Sequence, residues 1–239
     1  MKPPSSLASL SLEAPLHAVG QPRSKAKINR REFSATLGAA SLALMAPSTW
    51  AQGTPIEGTH YVRLQQPAPV SAPTGKIEVV EFFWYGCPHC NELEPTLEEW
   101  VKRLPPEAAF RRVPVGFAAV HETHQRLFYG LEAMGKLEQM HKRIFTAIHV
   151  QRQRLDKESD TVAFLNANGV DGAQWAKTSK EFHVVTKSMQ AKKLSEAYKI
   201  DGVPAIGVHG RFYTAGSLAG DNRRALAVAD FLIQRAKTA

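Results

Sequence analysis

Two residues of this chain could do redox chemistry, and they stand three apart: Cys87 and Cys90, in the run Cys87-Pro88-His89-Cys90. They are the only cysteines among 239 residues. A structural zinc site normally takes four ligands, and no second cysteine pair exists to supply them. Covalent haem attachment needs His directly after the second cysteine, where Asn91 stands. A purely structural disulfide here would close so short a loop that it would constrain the unfolded chain little. At the junction of a buried strand and a helix, the spacing reads instead as a redox-active dithiol. Cys87 falls at the helix start, where unpaired N–H groups and the helix dipole favour a thiolate. Cys90 lies one turn on, close enough to form the disulfide yet turned toward the protein. Cys87 is therefore expected to be the attacking or attacked sulfur, and Cys90 the resolving one.

The elements that must hold this pair follow from pattern. His60 to Leu64 reads as a short lead strand, and Gln65 to Lys76, with Pro67, Pro69, Pro73 and Gly75, as an extended arm. Ile77 to Tyr85 is a nearly continuous β-branched and aromatic run, as in a strand buried on both faces. Helical spacing follows through Leu93, Leu97, Trp100, Val101 and Leu104, with a kink expected at Pro95. Pro105-Pro106 ends that helix, and Phe110 to Phe117 reads as a second strand. Leu127, Leu131, Met134, Leu137, Met140, Ile144 and Ile148 then mark one helical face, with breaks suggested by Gly130 and Gly135. Further helices are expected from Ser159-Asp160 to Gly169 and from Glu181 to Tyr198. Two strands, Val203 to Val208 and Arg211 to Tyr213, join at His209-Gly210, and a last helix follows Asp221. This order is α/β with a helical insertion.

The run Glu81-Phe82-Phe83-Trp84-Tyr85-Gly86-Cys87-Pro88-His89-Cys90 strongly resembles the DsbA family of periplasmic disulfide oxidases. So do Gly202-Val203-Pro204-Ala205, the Gly210 and Tyr213 that follow, and Asn166-Ala167-Asn168-Gly169. The resemblance implies a thioredoxin fold over about residues 58–117 and 188–236, split by an inserted helical domain of about 118–187. It implies that Pro88 and His89, between the cysteines, tune the couple, His89 by favouring the Cys87 thiolate. It places Glu81 beneath the cysteines as a relay for the Cys90 proton. The lysine that often accompanies that acid is replaced here by Arg112, which cannot deprotonate under ordinary conditions. It implies a cis peptide bond at Val203-Pro204, in a loop opposite the dithiol where backbone can pair with a substrate strand. Val before this proline resembles the oxidases; related isomerases typically carry Thr.

The activity so implied is a thiol:disulfide oxidoreductase that donates its disulfide to reduced, unfolded exported proteins. A quinone-linked membrane oxidase of the DsbB type would re-oxidise it. No cofactor or metal is expected, and the chain is expected to act as a monomer. His121-Glu122-Thr123-His124 lacks the spacing and the third ligand of a metal site and reads as a solvated helix start. Met134 and Met140 fit either the core of the insertion or a groove for clients.

The formal charge is +8, and half of that excess sits in the first 51 residues. Those carry Lys2, Arg23, Lys25, Lys27, Arg30 and Arg31 against Glu13 and Glu32. The rest forms no concentrated basic stripe with stacking aromatics, so nucleic-acid binding is set aside. Arg30-Arg31, the apolar run Ala35 to Ala46, and Thr49-Trp50-Ala51 read as an export signal with a small residue before the cut. The paired arginines lean toward the twin-arginine route. The long stretch before Arg30 suggests a start downstream of Met1. The apolar run is well short of the roughly 20 residues of a membrane-spanning helix. A periplasmic location follows. The competing activities are a disulfide isomerase or reductase, and an exported binding module with an inert disulfide. The isomerases of this fold carry an added dimerisation domain, for which the chain beyond Ala51 leaves no room.

Overall fold

The structure, a computed structural model, describes residues 53–237. The export signal read from residues 1–51 lies outside them. Strand β1 is Val62–Arg63 and β2 is Ile77–Phe83; all seven residues of β2 are buried. Helix α1, Pro88–Lys102, follows at once, with Cys87 as its N-cap and Pro88 in the first turn, where a missing N–H is harmless. Pro95 lies inside α1 and removes one of its backbone hydrogen bonds.

Strand β3 runs Ala108–Pro114, starting and ending earlier than its apolar pattern suggests. Phe117, expected in the strand, is 47% exposed, and its N–H donates to His121 Nδ1 at the start of the next helix. The helical block comprises α2 (Ala119–Ala133), α3 (Leu137–His149), α4 (Glu158–Ala167), α5 (Gly172–Thr178) and α6 (Phe182–Ala197). Gly135, with φ +66°, ends α2 as expected. Gly130 does not break it. A Cβ there would meet Trp175 Nε1 at 2.7 Å, so this glycine permits close packing of α2 on α5. Helix α5 escaped the apolar pattern, although its cap, Asp171 accepting from Gln174 N–H at 2.9 Å, was readable. Met140 is fully buried and Met134 partly so, which makes them core.

The chain then returns through β4 (Ala205–Val208) and β5 (Phe212–Ala215), a one-turn α7 (Gly216–Ala219) and α8 (Asn222–Lys237). His209 and Gly210 have φ of 50° and 65° and make the β4–β5 turn. The sheet order is β1-β5-β4-β2-β3, with β2 parallel to β3 and antiparallel to β4.

Alternation in β2 divides the core. Ile77 and Val79 pack with Leu93, Leu97 and Trp100 of α1 and Leu226 and Leu232 of α8. Val80 and Phe82 face a second cluster built largely from the helical block, with Phe82 5.1 Å from the Tyr198 ring. The sheet thus has helices on both faces, and its interior strand β2, between β4 and β3, delivers the chain directly to Cys87.

Candidate active site

Cys87 and Cys90 are both reduced in this structure. Placing a buried strand end against a helix start sets the two sulfurs in different surroundings. Cys87 retains 7% exposure and Cys90 none. The Cys87 thiol donates to the Val203 carbonyl at 3.3 Å, and the Val203–Pro204 peptide bond is cis. The two segments that the sequence singled out, 87–90 and 203–204, therefore meet at one sulfur.

Hydrogen bonding from the Cys90 thiol, more than any other contact, draws the Cys87 thiol down from 9.0 to about 6. Burial opposes this; the backbone N–H groups of Cys90 and His89 assist it, and the His89 imidazole contributes least. His89 had been expected to act through that ring. Its side chain is 71% exposed and lies 3.2 Å from Glu92, so solvent and a neighbouring carboxylate weaken its charge at the sulfur. Burial, and the bond it donates to Cys87, push the Cys90 thiol far above the usual range.

Beneath the dithiol, Glu81 is fully buried in β2, opposite Arg112 of β3 in the strand register. Arg112 Nε lies 3.0 Å from Glu81 Oε2, and Arg112 Nη2 donates to Glu94 Oε2 at 3.0 Å. Burial and then the Glu94 charge raise the Glu81 carboxyl to about 8, against the pull of Arg112. Burial would raise the Glu94 carboxyl, but hydrogen bonding from His141 and the Arg112 charge and hydrogen bond outweigh it and hold Glu94 below its usual value. His141 of α3 reaches Glu94 Oε1 at 3.1 Å, and Tyr85 OH lies 2.8 Å from His141 Nδ1. Arg112 thus sits beside Glu81, at the position the resemblance gave it. Glu94, His141 and Tyr85 were not foreseen. Glu94 was findable, because it falls on the buried face of α1 with Leu93 and Leu97.

Trp84 covers the turn into the dithiol. A Cβ at Gly86 would meet its indole at 2.4 Å, so Gly86 is required for that contact. His121 and His124 belong to this packing. His121 Nδ1 accepts from the N–H groups of Phe117 and Ala118, which caps α2. His124 is 2% exposed and stacks on Trp84 at 5.9 Å, so the motif is not the solvated helix start it was taken for. On the other side of Cys87 a cavity of about 620 Å³ is lined by His89, Val203, Pro204, Tyr213, Leu218 and Asn222.

A strand–CxxC–helix unit, a cis-proline loop on the Cys87 sulfur and a buried acid below define a dithiol oxidoreductase of the thioredoxin class. The sequence profile of the DSBA-like thioredoxin domain matches residues 100–225. The thiol:disulfide interchange protein DsbA of Azotobacter vinelandii is 42% identical over 182 residues, covering 76% of this chain and 85% of that protein. DsbA of Bordetella parapertussis is 41% identical over 209 residues, 86% of this chain and 97% of its own. The crystal structure of Pseudomonas aeruginosa DsbA superposes with a TM-score of 0.73 at 39% identity, covering 77% of this chain and 95% of that one. This chain belongs to the DsbA-like thioredoxin-domain family and is a thiol:disulfide oxidoreductase.

Proposed function

We propose that this enzyme works in the oxidising direction in the periplasm, passing the Cys87–Cys90 disulfide to reduced, unfolded exported proteins. The asymmetry of the two thiols carries the reading: one reachable sulfur with a lowered pKa, one buried sulfur with a raised one. A client thiolate can reach only Cys87. Its attack forms a client–Cys87 disulfide and breaks the Cys87–Cys90 bond, and the electron pair leaves on Cys90. That thiolate is costly in its buried setting and takes a proton, for which Glu81, protonated at neutral pH, is the donor. A second client thiolate then attacks the client sulfur, and Cys87 departs as the stabler thiolate. Two electrons have moved from client to enzyme, and the client holds a new disulfide.

The Val203–Pro204 turn leading into β4 and the cavity beside it offer the client a backbone partner and an apolar wall. Residues 58–117 and 188–236 would form the redox domain and 118–187 the inserted one, with the continuous helix α6 crossing the second junction. Export by the signal in residues 1–51, action as a monomer, and re-oxidation by a quinone-linked membrane oxidase complete the proposal. The test is to mix the oxidised enzyme with a reduced, unfolded two-cysteine protein and count thiols. One client disulfide gained per enzyme disulfide lost is expected. Retention of the enzyme disulfide would refute it.

A further inference from the structure

We propose that His141, carried into the site by helix α3 of the insertion, is a positioning residue for the dithiol: by donating to Glu94 it keeps Glu94 the ionised partner of Arg112 and leaves Glu81 as the carboxyl that holds the proton. The inference rests on the reading of Glu81 as the proton donor to Cys90.

The directions of donation follow from the groups involved. An ionised Glu94 is only an acceptor, so His141 Nε2 must carry the hydrogen across their 3.1 Å contact. Burial keeps the imidazole neutral, so Nδ1 is an acceptor, and Tyr85 OH donates to it at 2.8 Å. Each Glu94 oxygen then has its own donor, His141 on Oε1 and Arg112 Nη2 on Oε2. Glu81 differs. Among the described residues its one near donor is Arg112 Nε, 3.0 Å from Oε2 and poorly aligned, and Oε1 has none. A proton on Glu81 displaces no donor, whereas a proton on Glu94 would displace one. Two buried carboxyls sharing one guanidinium cannot both ionise cheaply, and the better-solvated one takes the charge. The groups facing this cluster are Glu81 and Tyr85 around β2, Cys87, Cys90, Glu94 and Glu98 at α1, Arg112 from β3 and His141 from α3. Of these, His141 is the neutral donor aimed at Glu94.

Phe83, Phe128 and Phe145 surround the imidazole with ring centroids 5.3 to 6.3 Å away, so His141→Phe can fill the space while removing the donor. His141→Gln keeps a donor near Nε2. The two variants and wild type, labelled with ¹³C at the glutamate carboxyls, are titrated by NMR in the reduced state. The same proteins are assayed for mixed-disulfide formation against pH. Glu81 should titrate near 8 in wild type and in His141→Gln, and about one pH unit lower in His141→Phe, with the kinetic midpoint moving alike. Should Phe fail to pack, His141→Met, equally without a donor, takes its place. An unmoved Glu81 titration in the donor-less variant, or an equal shift in His141→Gln, overturns the inference. A shifted Glu81 titration with an unmoved kinetic midpoint upholds it and instead contradicts Glu81 as proton donor.

Discussion

The surroundings of Cys87 and those of Cys90 are built on different scales. The Cys87 thiolate is stabilised by atoms of residues 87–90; the one distant contact, at Val203, accepts from the thiol form. The floor below Cys90 is assembled from β2, α1, β3 and α3, so that Glu81, Glu94, Arg112 and His141 come together from across 60 residues of chain. The first environment is a property of a helix start, set by the Cys90 thiol and backbone N–H groups more than by the side chains between the cysteines. The second is a property of packing. In the proposed exchange it supplies a proton, whereas the first holds an electron pair on sulfur.

The strongest way to break the comparison is at the sulfurs. Cys87→Ser should abolish exchange. Cys90→Ser, offered a client disulfide, should accumulate client–enzyme disulfides visible on non-reducing gels, because Cys87 attacks that bond, one client sulfur leaves as thiolate, and no second enzyme thiol releases the other. Equal alkylation rates for both reduced thiols at neutral pH would deny the asymmetry. Next, Glu81→Gln should slow attack on the oxidised enzyme by about 10²-fold, within the usual range for a general acid, and flatten its pH profile near 8. Unchanged rates in stopped-flow would leave that carboxyl a structural group.

The two scales also explain what could be read in advance. The dithiol, its strand and its helix form a short motif with local causes and were legible; the role of Val203-Pro204 came from the family resemblance, since a Val-Pro pair alone favours trans. The floor was half legible. Glu81 and Arg112 emerged from the family resemblance, but no short-range pattern links Glu94 to His141, 47 residues apart. Gly130 was misread for the same reason: its partner Trp175 is distant in sequence, and a helix glycine looks like a break until that partner is known.

Smaller effects sharpen the local half. Val203→Thr should slow exchange with protein clients several-fold, since its carbonyl faces Cys87 and its backbone borders the cavity; rates unchanged from wild type with both peptide and protein clients would remove that role. Smallest of all is His89→Ala, which should raise the Cys87 pKa by only a few tenths, because the imidazole is exposed and paired with Glu92. Alanine is the informative choice, since proline would also delete the His89 N–H that faces the sulfur. A shift of a full unit in thiolate absorbance would restore the imidazole as the main cause.

Thiolate stabilisation has a definite sign. A Cys87 pKa of about 6 in the folded, reduced protein, against an ordinary 9.0, favours the reduced fold. That stabilisation is fully present above the unfolded thiol pKa and is lost as pH falls through 6. Each unit of depression corresponds to about 1.4 kcal/mol, or roughly 30 mV toward an oxidising couple. The most direct test of the account is therefore the denaturant stability of the oxidised and reduced enzyme, compared at pH 5 and pH 8. The reduced form should be the more stable at pH 8, with its advantage shrinking at pH 5. An oxidised form that is more stable at both values would contradict the claim that the Cys87 thiolate drives disulfide donation.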